Sequence, residues 1–136
     1  MNAKLWLRIS AGVSLLLAVG HCLGGRKSWS PNGDHPVLQQ MRDNHFDVMG
    51  VDRSFYDFYM AFGWSLSIAL FMQSILMWQL SGLVTTDVAR ARPMIAVITA
   101  AVVASAIIAW RMIFPIPAYF ETALSVCLIV ALVKAR

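Results

Sequence analysis

Four ionisable side chains fall within or at the ends of long apolar segments: His21, Asp57, Arg111 and Glu121. Charge inside hydrocarbon costs about 2.5–3.5 kcal/mol per group on insertion scales, so such residues usually face a protein interior or a wet cavity. An arginine held between two carboxylates can keep one ionised while the other exchanges a proton. Histidine is the side chain that carries protons near neutral pH. Asp57, Glu121 and His21 are therefore candidate catalytic groups for acid–base chemistry such as isomerisation or epoxide opening. Arg111, the hydroxyls of Tyr56, Tyr59 and Tyr119, and the flat rings of Trp64 and Trp110 make a candidate binding set. Lining a polar pocket open to the outer leaflet, such a set suits a lipophilic molecule with one polar end: a quinone, a terpenoid, a sterol-like compound or a lipid. A purely structural account competes on equal terms. In it Asp57 caps its helix, Arg53 pairs with Asp57 at i, i+4, His21 bonds the last carbonyls of its helix, and Arg111 neutralises a carboxylate.

Other chemistry finds no support. His21, His35 and His45 form no H-E-x-x-H pattern, and no metal-ligand spacing, haem-type histidine pair, nucleophile elbow, P-loop or dinucleotide fingerprint is present. No cofactor is evident, a quinone being the one candidate. Cys22 and Cys127 differ by about half a span in expected depth, a poor geometry for a disulfide. Gln73, near mid-bilayer, reads as an interhelical hydrogen-bonding group.

These residues must be positioned by membrane-spanning helices. The 136-residue chain is 59% hydrophobic and 13% charged, with a mean hydropathy of +0.66. Four segments, about 5–23, 56–81, 93–114 and 116–134, approach or exceed the roughly 20 residues that a crossing helix needs. The expectation is one all-α domain over residues 1–136, an integral membrane four-helix transmembrane bundle. Its first loop carries a short extramembrane helix over about residues 35–49. That helix starts at Asp34 and Pro36, shows a face of Val37, Leu38, Met41, His45 and Val48, and stops at Gly50. Trp29 reads as an interfacial aromatic before a turn at Pro31-Asn32-Gly33. Ser54 and Asp57 form a capping box, Pro93 opens the third span, and Pro115-Ile116-Pro117 links it to the fourth. Arg8 interrupts the first apolar run and no A-x-A site follows, against a cleaved signal peptide.

Membrane helices pack along small residues. Ser10, Ser14 and Ala18 mark such a stripe on the first span, and His21 shares it. Gly63, Ser67, Ser74 and Ser81 recur at near-heptad spacing on the second, with Tyr56 in line and Asp57 beside it. On the third, Ala100 and Ala104 suggest the ladder, which turns Arg111 inward. Glu121 and Ser125 lie one turn apart on the fourth. Arg8 faces away from His21 and reaches for headgroups.

Eleven Lys/Arg against seven Asp/Glu give a net charge of +4 and a pI near 9.5. The basic residues sit mostly at span ends, where they orient membrane proteins, so nucleic acid is not an expected partner. Lys4, Arg8, Arg90, Arg92, Lys134 and Arg136 lie on one side, and Arg26, Lys27, Arg42, Arg53 and Arg111 on the other. This bias places both termini in the cytoplasm. Expected partners are membrane lipid, a lipophilic small molecule, and either a larger membrane complex or further copies of the chain. A pore would need an oligomer, and no span carries a continuous polar stripe.

In size, span number and the first-span pattern Leu7-Arg8…Gly12…Gly20-His21, the chain resembles DoxX-like small bacterial membrane proteins. The segment Arg53–Tyr59 departs from that pattern, and the alternative is a separate, uncharacterised family of similar architecture. The resemblance implies a bacterial inner-membrane location and a redox or quinone-associated role; small size, the lack of cofactor motifs and the aromatic-rich start of the second span suggest, as the alternative, an accessory or assembly subunit of a larger membrane complex. The resemblance carries over no individual residue.

Overall fold

The computed structural model describes residues 2–30 and 35–136. Its described residues form five helices and one two-stranded hairpin: α1 (Ala3–Gly25), α2 (Pro36–Asp43), β1 (His45–Val48), β2 (Val51–Ser54), α3 (Phe55–Thr86), α4 (Val88–Met112) and α5 (Pro115–Lys134). α1, α3, α4 and α5 are each long and apolar enough to cross a membrane. Large apolar side chains point outward along all four, among them Leu16, Ile68, Val97 and Val126. A protein that faced water there would expose a continuous apolar surface; hydrocarbon is the solvent such faces fit. The protein is an all-α, multi-pass membrane bundle.

Two compact units are distinguishable: Met1–Leu17 with Leu70–Arg136, and Ala18–Ala69. The first holds the apolar core, in which Leu7, Met77, Ile95, Val102, Leu124 and Leu128 are almost fully buried. In this unit α1 and α3 meet through serines. Ser14 donates to the Leu70 carbonyl at 3.1 Å, and Ser74 donates to the Ala11 carbonyl at 2.8 Å. Gln73 Nε2 donates to Ser14 Oγ at 3.3 Å, the interhelical role its depth suggests. Small side chains let the backbones approach, and the hydroxyls use that proximity to bond the facing carbonyl. The Arg8 guanidinium lies 4.9 Å from the centre of the Trp78 ring. That indole contact accompanies its exposed position.

Helix starts follow their capping residues. Asn2 Oδ1 accepts from Leu5 N, and Asp87 Oδ1 accepts from Arg90 N. The Asp87 cap starts α4 at Val88, five residues before the proline at 93 that was expected to open the span. α3 likewise runs on to Thr86. Its 32 residues extend about 48 Å, well beyond a hydrocarbon thickness of about 30 Å. Pro115 occupies the first turn of α5, where its missing N–H costs nothing.

The second unit corrects the reading of the first loop. The helix expected over about 35–49 ends at Asp43, and His45–Ser54 forms an antiparallel hairpin pairing His45 with Ser54 and Val48 with Val51. His35 Nδ1 accepts from Val37 N at the helix start; Asp34 and the Pro31–Gly33 turn lie outside the described residues. Met49 and Gly50 both have positive φ, 55° and 83°, the requirement of a two-residue hairpin turn. Gly50 thus serves the hairpin instead of ending a helix. Asp47 Oδ1 accepts from Gly50 N at 3.0 Å and closes the turn.

Candidate functional site

The nine candidate residues divide between the units: His21, Tyr56, Asp57, Tyr59 and Trp64 in one, Trp110, Arg111, Tyr119 and Glu121 in the other.

In Ala18–Ala69, Asp57 is exposed and engaged at the start of α3. Its Oδ2 accepts from Ser54 N at 2.8 Å, and Ser54 Oγ accepts from Asp57 N at 3.2 Å. This is the reciprocal capping box that the spacing suggested. His21 lies half-buried on the serine stripe of α1, its Nδ1 2.8 Å from Ser67 Oγ. Neither residue hydrogen-bonds the other.

The centre of this unit is Trp29. Its indole N–H donates to the His21 carbonyl at 2.9 Å. Its ring lies 5.0 Å from His21, 6.0 Å from Tyr59 and 5.5 Å from Trp64, centre to centre. Ser28 and Trp29 both adopt left-handed backbone, with φ of 51° and 49°. For non-glycine residues this costs of order 1 kcal/mol or more each, so surrounding contacts must hold them. They do so closely: a Cβ on Gly63 would sit 2.2 Å from the Trp29 ring, and one on Gly25 would sit 2.7 Å away. Tyr59 donates to the Ser28 carbonyl at 2.8 Å, Tyr56 and Ser28 share a 2.6 Å hydroxyl bond, and Arg42 lies over the Tyr56 ring. The tyrosine hydroxyls are thereby used in clasping α3 to the segment after α1. The glycines at 24, 25 and 63 were the one sequence sign of an inserted ring.

In the other unit the outcome for Arg111 corrects the helical-phase argument. The buried stripe of α4 is Ala91, Ile95, Thr99, Val102, Ala106 and Ala109. Ala100 and Ala104 are exposed, as is Arg111, which lies roughly 200° around the helix from Ala109. α4 carries alanines on several faces, so small-residue spacing alone could not choose between them. The choice falls to Ile95 and Val102, which join the core with Leu124 and Leu128. Arg111 makes no ion pair with Glu121 among the described residues.

Glu121 does point inward. It is 8% exposed and shares the buried stripe of α5 with Ala118, Leu124, Ser125, Leu128 and Ala131. Ser125, one turn on, gives its hydroxyl to the Glu121 backbone carbonyl at 2.8 Å, not to the carboxyl. Glu121 Oε2 is buried and has no hydrogen-bond partner among the described residues. An unmet polar atom in such surroundings costs about 1–3 kcal/mol. Nearby on the outward face, Trp110 donates to Thr122 Oγ1 at 2.9 Å and meets Tyr119 edge-on at 5.3 Å. Both rings are more than half exposed, an arrangement typical of aromatic side chains at a membrane interface.

Among the described residues no group of three or more His, Cys, Asp or Glu is placed to hold a metal ion. No protein-family model, curated protein or solved structure matches the chain.

Proposed function

We propose that this multi-pass membrane protein binds a lipophilic small molecule whose single polar end is met by the Glu121 carboxyl. The observation that carries this reading is the inward Glu121 Oε2 without a partner. A bundle selected for stability alone would place an apolar side chain there, because replacing a buried ionisable group with one of similar volume is often neutral or stabilising. A carboxyl oxygen accepts from a hydroxyl or an ammonium; in its protonated form the group donates to a quinone carbonyl. Should the bound molecule react, Glu121 is the residue placed to give or take a proton. The first-span resemblance to DoxX-like proteins makes a quinone the first probe. We further propose a bacterial inner membrane, on that resemblance, with both termini cytoplasmic, on the balance of basic residues at the span ends.

The test is Glu121→Leu, read by native mass spectrometry of the extracted protein and by thermal stability with and without decylubiquinone or farnesol. The wild-type chain is expected to retain a lipophilic mass or be stabilised by a probe. The leucine variant is expected to lose both responses while melting at the same or a higher temperature. A variant that melts lower, or retains the same mass, would make Glu121 a structural residue.

A second reading, an accessory subunit of a larger membrane complex, is favoured by the hairpin tip. Met49 is 99% exposed there, flanked by exposed Val48 and Val51. A solitary species after gentle extraction counts against it.

A further inference from the structure

Apart from the nine candidate residues, the first unit gathers the start of α1, the end of α3, the start of α4 and the end of α5 around an open hollow of about 140 Å³. That is several times the roughly 30 Å³ share of one water molecule. Its rim carries three cations, Lys4, Lys134 and Arg136, and no carboxylate side chain. None of the three is in an ion pair among the described residues. Asp87, adjacent to the rim residue Val88, is held by Arg90 at 3.1 Å and does not offset them. Two helix N-termini and two C-termini converge there, so their dipoles largely oppose one another. Thr85 spends its proton on the Gly82 carbonyl. Asn2 uses its side-chain oxygen on Leu5 N, which leaves its amide nitrogen as a donor.

We propose that this hollow binds the phosphate of an anionic phospholipid headgroup, with Lys4, Lys134 and Arg136 as its cationic donors. The hollow lies at the ends of membrane-spanning helices, the level at which headgroup phosphates lie. The neighbours Leu5 and Val133 are exposed and apolar, and so offer a surface to the acyl chains. Basic hollows between transmembrane helices are a known way of holding acidic headgroups. The inference is independent of the Glu121 reading.

The experiment places the full chain in nanodiscs containing phosphatidylcholine and phosphatidylglycerol and counts retained phospholipids by native mass spectrometry. The wild type is expected to retain phosphatidylglycerol selectively. The Lys4→Gln/Lys134→Gln variant is expected to lower that retention roughly 25-fold, at about fivefold per removed cation. Arg26→Gln/Arg92→Gln removes equal charge outside the hollow and is expected to retain the lipid as the wild type does. Equal loss in both variants, or no preference for the acidic lipid, overturns the site. Inorganic phosphate that displaces the lipid from the wild type, and stabilises it but not the Lys4/Lys134 variant, overturns the lipid as the source and leaves a soluble phosphoanion.

Discussion

Asp57 and Glu121 are both carboxylates near the start of a membrane-spanning helix, but their oxygens meet different surroundings. At Asp57 the backbone N–H and hydroxyl of Ser54 converge on one exposed carboxylate oxygen. The side chain is fully accounted for by what it does to the helix start. At Glu121 the adjacent hydroxyl turns to the backbone and one carboxyl oxygen stays unmet. The two residues therefore separate under mutation. Asp57→Ala is expected to cost about 1 kcal/mol, as a lost helix cap does, lowering the melting temperature in detergent without changing retention of a lipophilic mass. Unchanged stability with lost retention would reverse the assignment. The capping box was legible because it depends on residues three apart. The orphaned oxygen was not, because what surrounds a carboxyl depends on residues far away in sequence.

At the scale of elements, two packing devices differ in how plainly they were written. The seam of α3 repeats as Ser67, Leu70, Ser74, Met77, Ser81 and Val84, every one of them buried. Its heptad rhythm appears in the sequence because one kind of small polar residue marks one face. The clasp around Trp29 has no such rhythm. It exists because Gly63 leaves an indole-sized space opposite a backbone that turns left-handed at Ser28 and Trp29. Gly63→Ala is expected to destabilise by about 1–3 kcal/mol, since no atom of the ring can yield by the distance required. Gly12→Ala is the control: a Cβ there meets nothing within 4 Å, and alanine gains about 0.5–1 kcal/mol over glycine in a helix interior. Thermal melts of the two single variants should move in opposite directions. A shared direction would mean that Trp29 is not held as described.

For the whole molecule, the topology proposed above puts both termini in the cytoplasm and, one span later, the segment of the β1–β2 hairpin outside. With both termini cytoplasmic, Met49→Cys at the fully exposed hairpin tip is expected to react with a membrane-impermeant maleimide on intact cells. Thr85→Cys, at the exposed end of α3, should react only after permeabilisation. Both are measured in a background with Cys22 and Cys127 replaced by alanine. The opposite pattern inverts the orientation.

The four spans, the serine seam and the Ser54–Asp57 capping box were determined by the sequence itself. Hydropathy sums residue by residue, and periodicity and capping act over one or two turns. The inward face of α4, the change from helix to hairpin after Asp43, the insertion of Trp29 and the isolation of Glu121 were decided by tertiary structure. Each depends on which distant side chains interlock. In α4, alanines on several faces could have met the bundle, and the bulk of Ile95 and Val102 against the rest of the core chose one and turned Arg111 outward.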